Sequence, residues 1–399
     1  MALTERISHE VSAHFIGDGS LLFHAGRQEL YEANPTATYI WCCLAEGLGG
    51  KETAAALEDH FELEPEVATG YVSEILAQWQ DLKLLGETGE GERHHFNGTD
   101  PLLTYQCSDE TVVRQVPPAV LDRDYRLLDS VFRLAYGDHN LHDWVHPVVG
   151  HLAEAAGERT PDQTYRLMER DGAFYLLEGD AALYRIDRID AVAPTLKAYL
   201  VVRALQACTG LCAVHAGALV RSGRCLLMPG PSGHGKSTLT AALAANGFDL
   251  LGDDTIVLVK GDLSARAVPM GICVKDGSWD VLRPHYPELD KLPVHHRADG
   301  KVIRYLRPEA EGLRRTQGRS WPVHWMVFPK YAEGAETRLT PISQAEALRR
   351  MMDGFCPIYD RLEREEIAQL VTWIEGIECY ELSLSKLDRA IDLLRELCS

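Results

Sequence analysis

Gly230-Pro-Ser-Gly-His-Gly-Lys236-Ser237-Thr238 lies in the second half of a 399-residue chain. It has the form G-x-x-x-x-G-K-[ST], a loop whose backbone N–H groups cradle phosphate. Its flanks suit that role. Arg224-Cys-Leu-Leu-Met228 reads as a short buried strand, and Leu239 to Asn246 as an Ala-rich helix stopped by Gly247. A helix start after a strand offers unpaired N–H groups and a partial positive charge to a triphosphate. Glycines at 230, 233 and 235 let the backbone wrap phosphate oxygens without a Cβ clash. Ser232, His234 and Thr238 complete the loop, Lys236 reaches the outer phosphates, and the Ser237 hydroxyl faces Mg²⁺.

Phe248-Asp-Leu-Leu-Gly-Asp253-Asp254 follows one short helix later. A helix from Lys236 to Asn246 rises about 16 Å, and five extended residues travel about 16 Å back. Both aspartates therefore return to the level of the loop, where a metal ligand and a base are wanted. Upstream, Ala213-Val-His215-Ala-Gly-Ala-Leu-Val220 reads as one strand, and a turn at Arg221-Ser-Gly-Arg224 brings His215 to the same end of the sheet.

His215, the loop and Asp253-Asp254, in this order and spacing, resemble the HPr kinase family, and most of all its relatives found with ribosomally made, modified peptides. The resemblance runs from Leu127-Leu-Asp-Ser-Val-Phe-Arg-Leu134 through Phe328-Pro-Lys330 to the C-terminus, with its specific part between His215 and Asp254. It implies transfer of the γ-phosphoryl of ATP to a serine hydroxyl. Asp254 then stands as the base, with His215 tuning its protonation. Lys236 neutralises the β/γ oxygens, and Ser237 and Asp253 hold Mg²⁺. One departure narrows this. The Arg-Gly-rich segment of HPr kinases is replaced by Val268-Pro-Met-Gly-Ile-Cys-Val-Lys275-Asp-Gly-Ser-Trp279, which argues against phosphorolysis and against HPr as substrate. Lys275 reads as a solvated lysine. So does each of Arg297, Lys301 and Arg304, one of which is placed to neutralise transition-state charge.

The first ninety residues have another pattern. Ser20-Leu-Leu-Phe-His-Ala25 reads as a strand. Helices are expected from Pro35 through Leu44, from Lys51 to His60, and from Pro65 to Leu82, with proline at a first helical position in two of them. Asn34-Pro-Thr-Ala-Thr-Tyr-Ile-Trp41, the Thr53-to-Phe61 helix and Leu82-Lys-Leu-Leu85 resemble the PqqD-like peptide-recognition domain. That resemblance implies a winged-helix module, not itself an enzyme, which binds the leader of a precursor peptide as an added strand. The alternative, a small DNA-binding winged helix, meets an electrostatic objection. Residues 1–90 carry 16 Asp/Glu against 4 Lys/Arg, and the whole chain has a net charge of −19. Such a surface repels a phosphate backbone.

The expected fold is thus an α/β P-loop kinase domain resembling HPr kinase (126–399), after a small α+β winged-helix domain (1–86) and a linker-like stretch (87–125) that opens with Gly86-Glu-Thr-Gly-Glu-Gly-Glu-Arg93. Helices are expected at Leu128–Tyr136, Trp144–Ala156 and Ala193–Ala207, and a hairpin near Tyr165–Tyr184. Ten cysteines without a CxxC pair read as reduced thiols of a cytoplasmic protein. The N-terminus lacks a signal peptide's apolar run, and no segment reads as membrane-spanning. His139, His142, His146 and His151 invite a metal reading. However, His142-Asp-Trp-Val-His146 has Asp where the zinc-protease motif has Glu, and Pro147 follows, so they read as surface or core histidines, as do His295-His296. The reading is an ATP- and Mg²⁺-dependent kinase of a peptide serine or threonine, with the leader as partner, no nucleic acid or membrane, and a homo-oligomer left open. A small-molecule hydroxyl kinase with a regulatory N-terminal domain, and a nucleotide-gated peptide chaperone, remain as alternatives.

Overall fold

A computed structural model describes residues 6–86, 116–154, 159–307, 309–358 and 361–399. Of the expected linker-like stretch 87–125, residues 87–115 lie outside them, and its last five residues are not linker but part of a strand, Leu121–Leu127. In chain order the elements are β1 (Val11–Ile16), β2 (Gly19–His24), β3 (Glu29–Ala33), α1 (Pro35–Ala45), α2 (Gly50–Phe61), α3 (Pro65–Asp81), β4 (Leu121–Leu127), β5 (Ser130–Tyr136), α4 (His139–Val149), β6 (Gln163–Arg170), β7 (Ala173–Glu178), β8 (Ala181–Ile186), α5 (Val192–Ala207), β9 (Gly210–Val214), β10 (Ala216–Arg221), β11 (Arg224–Pro229), α6 (Lys236–Ala245) and β12 (Asp249–Gly252). There follow β13 (Ile256–Val259), β14 (Ala265–Arg266), β15 (Ile272–Lys275), α7 (Trp279–Leu282), β16 (His295–His296), β17 (Val302–Leu306), α8 (Ala310–Thr316), β18 (Ser320–Trp321), β19 (Val323–Tyr331), β20 (Arg338–Pro341), α9 (Gln344–Met352), β21 (Phe355–Pro357), α10 (Arg364–Glu375), β22 (Glu378–Leu384) and α11 (Leu387–Leu397).

The chain divides into two units, and the division is not the expected cut at residue 86. The described residues of the first unit are 6–86 together with 342–353 and 361–379; those of the second are 116–154, 159–307, 309–341, 354–358 and 380–399. In the first, β1, β2 and β3 form an antiparallel sheet in sequence order. Alternation along a strand splits its side chains between two faces. Val11, Leu22, Tyr31 and Ala33 pack with Ile40, Trp41, Leu57, Val72 and Trp79 of α1, α2 and α3. Leu21, Phe23 and Leu30 point the other way and are nonetheless buried. Their cover comes from the far end of the chain: α9 lies on β3 and α10 on β1, burying Leu348, Met351, Ile367 and Leu370. Gln28 clamps this arrangement through its side chain, donating to Leu362 O (3.1 Å) and accepting from Leu362 N (2.7 Å).

The second unit is a mixed α/β structure. One sheet runs β12-β10-β11-β19-β22-β20 and a second β18-β14-β13-β9-β21; a third, β4-β5-β6-β7-β8, comes earlier in the chain and is antiparallel except for the β5–β6 pair, which is parallel across α4. The β10–β11 hairpin turns through Ser222 and Gly223, both at positive φ, which matches the strand twist. Two expectations fail here. Residues Leu128–Tyr136 form no helix: Ser130–Tyr136 is β5, paired with β4 on one side and β6 on the other. Its side chains are buried on both faces, so its apolar run carries no period to tell strand from helix. The strand expected over Ala213–Val220 is broken at His215 into β9 and β10, which belong to different sheets. A third expectation shifts. The helix placed at Trp144–Ala156 runs instead from His139 to Val149, capped by Asp138, which accepts from Leu141 N at 2.9 Å. Pro147 is tolerated within its last turn. No described helix is long and apolar enough to cross a membrane.

Burial lowers the basicity of His14, His24, His146, His151, His215 and His295. His151, with Nε2 2.6 Å from Pro269 O, is pushed down to about 4. These rings are neutral when folded and take up protons on unfolding once the pH is below 6.5. The associated stability is therefore present above 6.5 and lost progressively toward pH 4, by about 3 kcal/mol for His151 alone. Thermal melts across that range should show a falling Tm; a flat profile would contradict the burial.

Candidate active site

The strand–loop–helix reading sets the site. β11 delivers the loop, and α6 starts at Lys236 with Gly235 as its N-terminal flank at φ 87°. Gly230 has φ 146°, closed to most side chains. Behind α6 the chain returns through β12, whose pairing with β10 carries Asp253 and Asp254 to the mouth of the loop. The break at His215 puts that residue at the same place. Its amide donates to Gly354 O (2.7 Å), just before β21 pairs with β9, and a Cβ on Gly354 would stand 3.3 Å from that of His215.

Lys236 is 4% exposed. Its ammonium donates to the carbonyls of Gly230 and Pro231 and to His215 Nε2 at 3.2 Å. An ammonium has no acceptor, so Nε2 accepts, and the ring proton sits on Nδ1, which donates to Asp254 O at 2.8 Å. His215 is thus a neutral bridge between Lys236 and the backbone of Asp254; burial and the Lys236 charge keep it below its usual value. It meets the main chain of Asp254, where the sequence suggested a partner for the carboxyl. Asp254 itself has φ 72°, a left-handed conformation that Asp and Asn tolerate better than other side chains.

The two carboxyls separate in character. Asp253 is 2% exposed and accepts from Cys273 N at 3.2 Å. Burial first, then the Asp254 charge, push it up to about 7, against the pull of Lys197, the Cys273 amide and the Ser237 hydroxyl. Asp254 is half-buried and lines the cleft. Burial raises it, but the charges of Lys197, Arg297 and Lys236 hold it below the usual carboxylate range. Such a split assigns different roles to neighbouring acids. Asp253 Oδ1 is buried without a hydrogen-bond partner. An orphaned carboxylate oxygen near a serine hydroxyl suits a hard divalent cation that takes its remaining ligands from phosphate and water. Among the described residues, no three or more His, Cys, Asp or Glu converge as a complete metal site, the His139–His151 stretch included.

These groups line one cleft of about 830 Å³. Lys275 joins them, donating to Ser232 Oγ of the loop at 3.2 Å, so it is not simply solvated. Of the three later basic residues, Arg297 and Lys301 line the cleft and both pair with Asp299. Arg304 is engaged elsewhere, by Leu289 O, Asp290 and the face of Trp279. The sequence reading missed Lys197 on α5. It is 8% exposed, donates to Gly271 O at 3.1 Å and lies 5.1 Å from the centre of the Tyr305 ring. Its signal was there: a lysine in register with Ala193, Leu196, Leu200 and Ala204, the buried face of α5.

Compared with known proteins, residues 19–85 match the family model described as Coenzyme PQQ synthesis protein D (PqqD). No curated protein matches the chain. Among solved structures, TbiB1 in complex with the TbiA(beta) leader peptide is 22% identical, over 22% of this chain and 96% of that one, with a TM-score of 0.20. The Hpr(Ser) kinase/phosphatase from Coxiella burnetii is 16% identical, over 46% of this chain and 95% of that one, with a TM-score of 0.22. Likenesses at such scores carry no weight for function. The family match does bear on one part of the molecule: the chain has a PqqD-like domain at its N-terminus.

Proposed function

We propose that the chain is an ATP- and Mg²⁺-dependent kinase that phosphorylates a serine or threonine hydroxyl of a ribosomally made precursor peptide. The observation that carries this reading is the meeting, in one cleft, of Lys236 and Ser237 from a phosphate-binding loop with Asp253, Asp254 and His215. The acceptor oxygen attacks the γ-phosphorus. An oxygen–phosphorus bond forms, the bond from that phosphorus to the β-phosphate oxygen breaks, and ADP leaves. The hydroxyl proton passes to the Asp254 carboxylate, the accessible member of the acidic pair. Lys236 faces the charge on the β/γ oxygens, and His215 fixes both Lys236 and the Asp254 backbone. Ser237 and Asp253 would hold Mg²⁺, which when bound would neutralise charge on the phosphates. Little else is needed, since phosphoryl transfer depends on positioning and electrostatics.

The N-terminal residues 1–86, read as a winged-helix module, capture the leader. β1 and β3 are the sheet's edge strands, and an edge accepts an added strand through main-chain bonds. Tethering then raises the local concentration of the acceptor. The test supplies γ-labelled ATP and Mg²⁺ with synthetic serine-containing peptides and, separately, free serine. Label should enter peptide. Transfer to free serine alone would favour a small-molecule kinase. Lys236→Ala is expected to weaken ATP binding, read by calorimetry, and to remove most transfer, since it also strips His215 Nε2 of its donor; full activity in that variant would dismiss the loop assignment.

A further inference from the structure

One wall of the same cleft is a helix face. Ala198, Val201, Val202 and Leu205 of α5 line it at i, i+3, i+4 and i+7, all half-buried. Val201 and Leu205 rest on the core of the unit from behind. Arg203, the charged residue of that stretch, is drawn away by Gln163, Tyr165 and Gln206, each at 3.2 Å. The cleft's charges lie elsewhere: on the loop, at Asp253 and Asp254, on β15, on the segment after β16, and at Lys197, one residue before the apolar face begins. The cleft has a second apolar patch, where Tyr331 and Leu384 stand against Gly235 of the loop. That patch adjoins the phosphate-binding loop and suits the base of a loop-bound nucleotide, which would leave the α5 face to the acceptor.

We propose that this face of α5 is the subsite for the residue next to the acceptor hydroxyl, and that it selects peptides in which that neighbour is apolar. The inference rests on the peptide-kinase reading and narrows it. A free hydroxy amino acid carries an ammonium and a carboxylate beside its hydroxyl-bearing carbon. Against this wall both would lose water without gaining partners. An apolar side chain loses nothing there, and its peptide bonds carry no charge. The surface is continuous with the proposed reaction centre, so the occupant is the segment that already holds the acceptor.

The test uses the full chain, ATP and short synthetic peptides with one central serine, its two neighbours set to leucine, glycine, aspartate or lysine. The leucine-flanked peptide should exceed the aspartate- and lysine-flanked ones by about 10-fold or more in kcat/KM. Val202→Asp should abolish that preference with ATP affinity unchanged, and Val202→Ile should keep it. Val202→Thr, close to isosteric, gives the same readout in milder form if Val202→Asp does not fold. Equal rates on all flanks would overturn the inference alone. So would loss of ATP affinity in Val202→Asp or Val202→Thr, because the wall would then belong to the nucleotide. No transfer to any peptide while ATP still binds would instead overturn the kinase reading itself.

Discussion

Asp254→Asn is expected to lower kcat by about 10²-fold or more while leaving ATP affinity nearly intact. The substitution is unusually clean. Asparagine keeps the main-chain carbonyl that accepts from His215 and, like aspartate, tolerates the left-handed backbone at φ 72°. Loop, lysine and histidine therefore stay in place, and what disappears is the carboxylate that receives the proton. Asp254→Ala would confound that loss with backbone strain. Calorimetry for ATP and label transfer for turnover separate the two steps. Wild-type turnover in Asp254→Asn would remove Asp254 from the role of base and point to Asp253, the other carboxyl of the cleft.

A polypeptide ending at residue 95 is expected to fail as an independent domain, although it contains the whole PqqD-like match. Leu21, Phe23 and Leu30 are 0%, 0% and 8% exposed, and in that fragment they lose α9 and α10. At about 1.5–3 kcal/mol per large apolar side chain, the loss is about 5–9 kcal/mol, on the scale of the whole stability of a small domain. Urea unfolding followed by circular dichroism should show little cooperative structure. Supplying residues 342–379 through a linker should restore a transition. A cooperative fold in the short fragment would show that α9 and α10 are ornament. Within the intact chain, Phe23→Ala alone should cost about 3–5 kcal/mol.

What was legible in the sequence was local. The loop, the helix behind it and the returning acids follow from spacing along about 25 residues, and the structure brings them together as expected. The first three helices announce themselves by apolar spacing, two of them also by a proline start, and the PqqD-like resemblance is borne out by the match over residues 19–85. What failed depended on distant neighbours. β5 is buried on both faces, so nothing in its own residues separates strand from helix. The break at His215 is imposed by two sheets claiming adjacent strands. Lys197 matters through Asp253 and Asp254, more than fifty residues away. The sequence analysis read no helix at α9 or α10, and no local rule says that their buried faces cover β1 and β3.

The position of β21 gives that last arrangement a consequence for inheritance. The chain leaves the N-terminal unit after α9, contributes Gly354 and β21 beside His215 in the other unit, and returns for α10. A recognition module strung at one end of an enzyme is exchanged by a single crossover. Here, one crossover near residue 90 would deliver a foreign sheet onto helices that evolved under another. If the N-terminal unit selects the leader as proposed, transferring that selectivity requires moving 342–353 and 361–379 together with the first 86 residues. A chimera designed to redirect this protein to a new leader needs breakpoints on both sides of β21, leaving Gly354 to its own histidine.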